Sequence, residues 1–196
     1  MNIVIVNTAF DDANYIVIKD NKVFAEITDA SAKHSESSLV KIDEKLNEAN
    51  ITIKDVDSFA VNIGPGSFTG IRIGVSLVKG FLSGLPNKKV IAFNSFEPFI
   101  FRNNNKIICL KASKDDYYCA KVENFKITDT FILTNNEVEK TPNTIIENCS
   151  FSTEMLVNLV NEKIKNNKFN TIADINPFYI KLSQAEKELK QKENKN

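Results

Sequence analysis

The chain has 196 residues, 42% of them hydrophobic, enough to bury a sizeable core as one domain or as two of about 100 residues each. Lys plus Arg and Asp plus Glu both number 25, and no basic run stands outside the last residues, which argues against a protein that binds RNA alone. The three cysteines, Cys109, Cys119 and Cys149, are too few and too widely spaced for a metal site and odd in number for a disulfide framework, so buried thiols in a reducing cytoplasm are the expectation.

Residues 1 to 7 read as a strand, with an apolar run far too short for a signal sequence or a membrane span. Two β-rich runs at 14 to 19 and 22 to 28 meet across Asp20-Asn21 and suggest a hairpin. From Ser35 to Ala49 the apolar Leu39, Ile42 and Leu46 recur at spacings of three and four, with Asp43, Glu44, Lys45 and Glu48 on the other side, which predicts an amphipathic helix. Residues 51 to 56 then lead to a buried strand over 58 to 63 that stops at Gly64.

The stretch Gly64-Pro65-Gly66-Ser67-Phe68-Thr69-Gly70-Ile71-Arg72-Ile73-Gly74 follows, and a helix is predicted over 71 to 85. Strand, glycine-rich turn and helix start resemble an anion-binding arrangement, since free N–H groups and the positive helix end converge there. The spacing fails both phosphate motifs, because Thr69 stands where either would need glycine and no Lys-Ser/Thr pair follows. A tight turn with Thr69 as a candidate N-cap is the plainer alternative. Inside the helix Gly74, Gly80 and Gly84 each cost about 1 kcal/mol against alanine. Ser76, Gly80 and Gly84 fall at i, i+4 and i+8, a small-residue ridge that lets another backbone approach, either a helix of the same chain or one of another subunit.

Pro86 breaks that helix and residues 89 to 93 form another strand. Further strands are predicted over 106 to 111, 117 to 122 and 126 to 133. An amphipathic helix over 153 to 164 would turn Met155, Leu156, Leu159, Val160 and Ile164 inward. The mixed charges of residues 181 to 196 suit a solvated helix end or a frayed terminus. The order of three strands, helix, strand, helix, strand suits a mixed sheet whose later strands join through helical crossovers. It resembles the actin, Hsp70 and sugar kinase superfamily, in which the pattern occurs twice. The expected fold is therefore α/β and actin-like (ASKHA), with residues 1–98 as an N-terminal subdomain and 99–196 as a smaller, reduced second one.

The glycine stretch, with His34-Ser35-Glu36 upstream and Asn176-Pro177-Phe178-Tyr179-Ile180-Lys181 downstream, resembles the TsaB family of tRNA threonylcarbamoyladenosine biosynthesis proteins, once grouped with glycoproteases. The resemblance runs from Met1 to about Ala185. It implies a non-catalytic cytoplasmic subunit that pairs with the paralogue TsaD in a heterodimer, with TsaE as an ATPase in a larger complex, contact with tRNA only through that complex, and a homodimer when isolated. It implies no cofactor of the chain's own and a nucleotide only at a complex interface. Motif and interface residues would be Gly64, Pro65, Gly66, Ser67, Phe68, Thr69, Gly70, Arg72, Gly74, Ser76, Gly80 and Gly84, joined by His34, Glu36, Leu39 and Ile42.

Ligand count gives an independent check. The catalytic paralogue carries two histidines separated by three residues after the strand equivalent to 89 to 93, a spacing that puts both imidazoles on one metal. Here Ser95 and Phe99 stand in those places, and His34 is the only histidine. Actin-like kinases also tend to place a carboxylate near the first strand's end in each half, whereas this chain has Asn7-Thr8-Ala9 and Lys111-Ala112-Ser113. Asp11, Asp12, Asp115 and Asp116 lie nearby but suit turns. The rival reading is an ATP-dependent small-molecule kinase or hydrolase of the actin-like class.

Overall fold

The computed structural model describes residues 1–29 and 34–181. The expected terminal tail over 182–196 lies outside the described residues, as do the side chains of His34 and Glu36.

Five strands form the first sheet: β1 (Ile3–Asn7), β2 (Ala13–Lys19), β3 (Lys22–Asp29), β4 (Ser58–Asn62) and β5 (Lys89–Phe93), in the order β3-β2-β1-β4-β5. β1, β2 and β3 pair antiparallel, while β4 joins β1 and β5 joins β4 in parallel. The β2–β3 turn puts Asp20 and Asn21 at φ 51° and 63°, the left-handed pair that a two-residue hairpin requires and that Asn and Asp tolerate. Crossovers are α1 (His34–Glu48), between β3 and β4, and α2 (Phe68–Gly84), between β4 and β5.

β1 and β4 are buried at every position, because both faces of this sheet are covered. Val4, Val6, Phe59 and Val61 point to α1 and α2, where Ile42, Leu46, Val75 and Val78 meet them. Ile3, Ile5 and Ala60 point the other way. This alternation of two apolar sets explains why both strands read as unbroken apolar runs rather than alternating ones.

The second sheet holds β6 (Ile107–Lys111), β7 (Asp116–Glu123), β8 (Lys126–Thr134) and β9 (Thr144–Glu147) in the order β8-β7-β6-β9. β6, β7 and β8 are antiparallel and β9 joins β6 in parallel, which repeats the first sheet's β3-β2-β1-β4 arrangement without its fifth strand. The fold is thus the expected actin-like pattern with a reduced second half. Two short helical segments intervene, a six-residue α3 (Asn135–Lys140) before β9 and α4 (Thr153–Lys165) after it. Ile108, Leu110, Tyr118, Leu156 and Val160 share one core with Ile3, Ile5, Phe93 and Phe96, so that core draws on residues from both sides of position 98. No helix among the described residues is long and apolar enough to cross a membrane.

Three local expectations change. The N-cap of α2 is Ser67, whose hydroxyl accepts from Gly70 N at 3.2 Å, while Thr69 lies exposed within the first turn. Leu39 is exposed although its spacing groups it with the buried Ile42 and Leu46. α3 and β9 go unpredicted from the sequence. α3 is short and polar, yet it carries a capping box in which Glu137 accepts from Thr134 N at 2.7 Å and Thr134 Oγ1 accepts from Glu137 N at 3.4 Å.

Candidate functional site: the glycine turn, the α2 face and the inter-sheet cleft

The glycine turn is locked from four directions. Gly64 has φ +110°, a conformation that side chains rarely adopt, and the Gly64-Pro65 bond is cis. Gly64 N donates to Asn62 Oδ1 at 2.9 Å, and Gly64 O accepts from Ser95 N at 2.9 Å. Ser95 Oγ donates to the Pro65 carbonyl at 2.7 Å, Ser67 N donates to Ala9 O at 2.7 Å, and the Tyr118 hydroxyl donates to Gly66 O at 3.3 Å. Ends of β1, β4, β5 and β7 therefore all converge on one turn.

Close approach explains the first glycines. A Cβ on Gly66 would lie 2.1 Å from Ala9 O, one on Gly70 1.9 Å from Thr8 O, and one on Gly74 2.5 Å from Thr8 Oγ1. The Thr8 hydroxyl donates to the Gly70 carbonyl at 2.7 Å. The approach that these glycines permit is made by the chain's own β1–β2 loop. Thr8 was not singled out in the sequence, because nothing local marks a threonine that serves a helix 62 residues away.

Gly80 and Gly84 differ, since a Cβ added to either would meet nothing within 4 Å. Both are exposed, as is Ser76. α1 packs against α2, and Leu39 and Val40 each keep 56% of their surface exposed. Val40 carries no signal in the sequence that separates it from a core position, and its exposure is visible only in the packing. Ile42 is buried at 1% exposure and packs into the chain's own core.

A strap over residues 170–181 closes the turn from outside. Asn170 pairs with Val90 at the free edge of β5, and Phe178 N donates to Ile63 O at 2.7 Å. The Tyr179 ring stacks on Phe68 at 4.3 Å between centroids, and Arg72 Nε donates to the Tyr179 hydroxyl at 2.8 Å. The strap ends on an ion pair between Lys181 and Asp116 of β7. The motif residues Phe68, Arg72 and Tyr179 are thus brought together.

Between the two sheets lies a cleft of about 740 Å³ bounded by residues 9–12, 66–68, 111–114 and 148–150, with Tyr118 among its lining. Burial pushes the Tyr118 phenol above its ordinary value and raises the Cys149 thiol to about 11. Asp11 and Asp12 line the cleft. Lys111 gives its ammonium to Asn135 Oδ1 at 2.6 Å and lies over the Tyr117 ring.

Where a carboxylate would hold metal-bound phosphates, the buried Asn7 donates to Asn14 Oδ1 at 2.7 Å and accepts from Asn62 Nδ2 at 2.8 Å. Both of its polar atoms are engaged by side chains. Ser95 and Phe99 are both buried. Among the described residues no group of three or more His, Cys, Asp or Glu could hold a metal ion.

Comparison with known proteins places this geometry among relatives. Residues 23–187 match the model of a family described as TsaD, tRNA N6-adenosine threonylcarbamoyltransferase. A tRNA threonylcarbamoyladenosine biosynthesis protein TsaB from Haemophilus influenzae is 28% identical over 109 residues, covering 52% of this chain and 45% of its own length. A tRNA N6-adenosine threonylcarbamoyltransferase from Clostridium kluyveri is 37% identical over 93 residues, covering 47% of this chain and 26% of its own. The chain spans less than half the length of these curated relatives. In structure it is similar to a YeaZ protein from Pseudomonas aeruginosa, with a TM-score of 0.71, 17% identity, and coverage of 91% of this chain and 99% of that one.

Proposed function

We propose that this chain, which belongs to the family described as TsaD, tRNA N6-adenosine threonylcarbamoyltransferase, acts as a TsaB-like, non-catalytic accessory subunit that pairs with and orders a TsaD partner. Two observations carry this reading: exposed apolar Leu39 and Val40 on α1, and bare backbone at Gly80 and Gly84 on α2, the helix against which α1 packs. An interior helix glycine costs about 1 kcal/mol, and among the described residues nothing lies within 4 Å of a Cβ added at either. A partner helix seated against them gives that cost a use. Ser76 completes the close-approach surface, and the glycine turn with its strap fixes the start of α2.

The buried Ser95 and Phe99, standing where the paralogue's metal ligands would be, support a role without its chemistry. Charge balance supports contact with tRNA only through a complex that also includes TsaE. The isolated chain forms a homodimer through the same helices, works in the cytoplasm and holds no cofactor of its own. Co-expression with the cognate TsaD tests the pairing: Gly80→Leu leaves the chain folded and abolishes co-purification. Retained binding at unchanged affinity overturns the interface.

The cleft favours a second reading, an ATP-dependent small-molecule kinase or hydrolase of the actin-like class, because it lies between the two strand-end loops and carries Asp11 and Asp12. Calorimetric titration with Mg-ATP separates the two. Binding weaker than millimolar supports the accessory subunit, and micromolar binding with turnover supports the enzyme.

A further inference from the structure

Cys109 and Cys119 are cross-strand partners in the β6–β7 ladder. Their Sγ atoms lie 2.6 Å apart, about 0.6 Å more than a disulfide bond. Both are fully buried on the sheet face opposite the main core, beside Tyr117, Phe131 and Leu133. What covers them is slight: α3 has six residues, and Val138 is its one buried side chain. We propose that Cys109 and Cys119 form a redox-responsive pair that closes to a cross-strand disulfide when a peroxide reaches it.

The step balances. One thiol, as thiolate, attacks the peroxide and becomes a sulfenic acid while the O–O bond breaks. The second thiol then attacks that sulfur and expels its oxygen as water. Overall two thiols and hydrogen peroxide give one disulfide and two waters, so sulfur loses two electrons and oxygen gains them. The hydrogen bond to Cys109 and burial hold the Cys119 thiol well above its ordinary value, so thiolate is scarce near neutrality and closure is slow. Opening of the α3 cover sets the peroxide's access.

Closure would act close to the cleft. Cys109 lies two residues before Lys111, and Cys119 follows Tyr118, whose hydroxyl reaches Gly66 O. The disulfide would staple the two strands that carry these groups.

The test treats the folded full-length chain with hydrogen peroxide and reads intact mass, free thiols and proteolytic peptides without reductant. The expected result is a loss of two hydrogens, a linked peptide joining Cys109 to Cys119, one thiol remaining out of three, and full reversal by dithiothreitol. The rate should rise roughly tenfold per pH unit over the neutral range, with the thiolate fraction, and several-fold in Val138→Ala. Amide exchange across β6 and β7 should slow on oxidation. Cys149→Ser should behave as the parent, while Cys109→Ala, which keeps the site apolar, should lose no hydrogens. Retention of all three thiols, linkage through Cys149, or the same two-hydrogen loss in Cys109→Ala overturns the proposal.

Discussion

The two halves of α2 use glycine for opposite reasons. At Gly70 and Gly74 the missing side chain lets the helix settle onto the chain's own Thr8, inside the fold. At Gly80 and Gly84, ten residues further along, it leaves backbone facing open space. One glycine-rich helix therefore carries an internal constraint, satisfied by Thr8, and a second pair of glycines that the proposed pairing would put to use. Sequence composition treats these residues alike. Their surroundings separate them.

Alanine breaks or confirms the contrast most directly. Gly70→Ala forces a Cβ against the Thr8 carbonyl and should destabilise the fold by about 3 kcal/mol, read as a fall in the urea midpoint at constant slope. Ser67→Ala removes the hydroxyl that accepts from Gly70 N and should cost about 1 kcal/mol, a smaller loss in the same half. Gly80→Ala should change sign, raising stability by up to about 1 kcal/mol, because a helix former replaces glycine where nothing obstructs it. A loss of stability in that variant would mean that Gly80 is not free within the chain.

The smallest effect lies outside α2 and serves as its control. Glu137 is held below its ordinary value of 4.5 by the backbone and hydroxyl hydrogen bonds of Thr134. Because its folded value is depressed, its contribution is present above 4.5 and is lost as pH falls through the lower folded value. Amide protection at α3, taken relative to the intrinsic exchange rate at each pH, should fall over that acid window while that of α2 holds. An equal fall in both helices would mean that the transition is global.

Much of the first sheet was legible because its strands are buried on two faces, which turns residues 3 to 6 into a plain Ile-Val run. The glycine positions were legible too, but their purpose was not. A motif comparison weighs Gly66 and Gly70 against phosphate loops, while the group they accommodate is the β1–β2 loop, more than fifty residues upstream. Leu39 misled for a related reason: its spacing with Ile42 and Leu46 matches a core stripe, and only packing shows that the stripe begins one turn later. α3 and β9 escaped because six and four residues are too few for periodicity to accumulate, although the Thr134 and Glu137 pair was there to be read. The strap's contact with Phe68 had no local signal, since stacking between Phe68 and Tyr179 depends on the finished sheet order.

The strap also has a consequence for how the chain reaches this state. Arg72 and Tyr179 are 107 residues apart, and Gly64 is roofed by the Phe178 carbonyl. During synthesis the segment carrying β1, β4 and α2 leaves the ribosome well before the residues that seal its turn. Closing a loop of that length weighs on folding speed far more than on final stability. An emerging chain therefore passes through an interval in which the start of α2 is formed but unsealed, and any partner that captures α2 early meets a looser helix than the one described here.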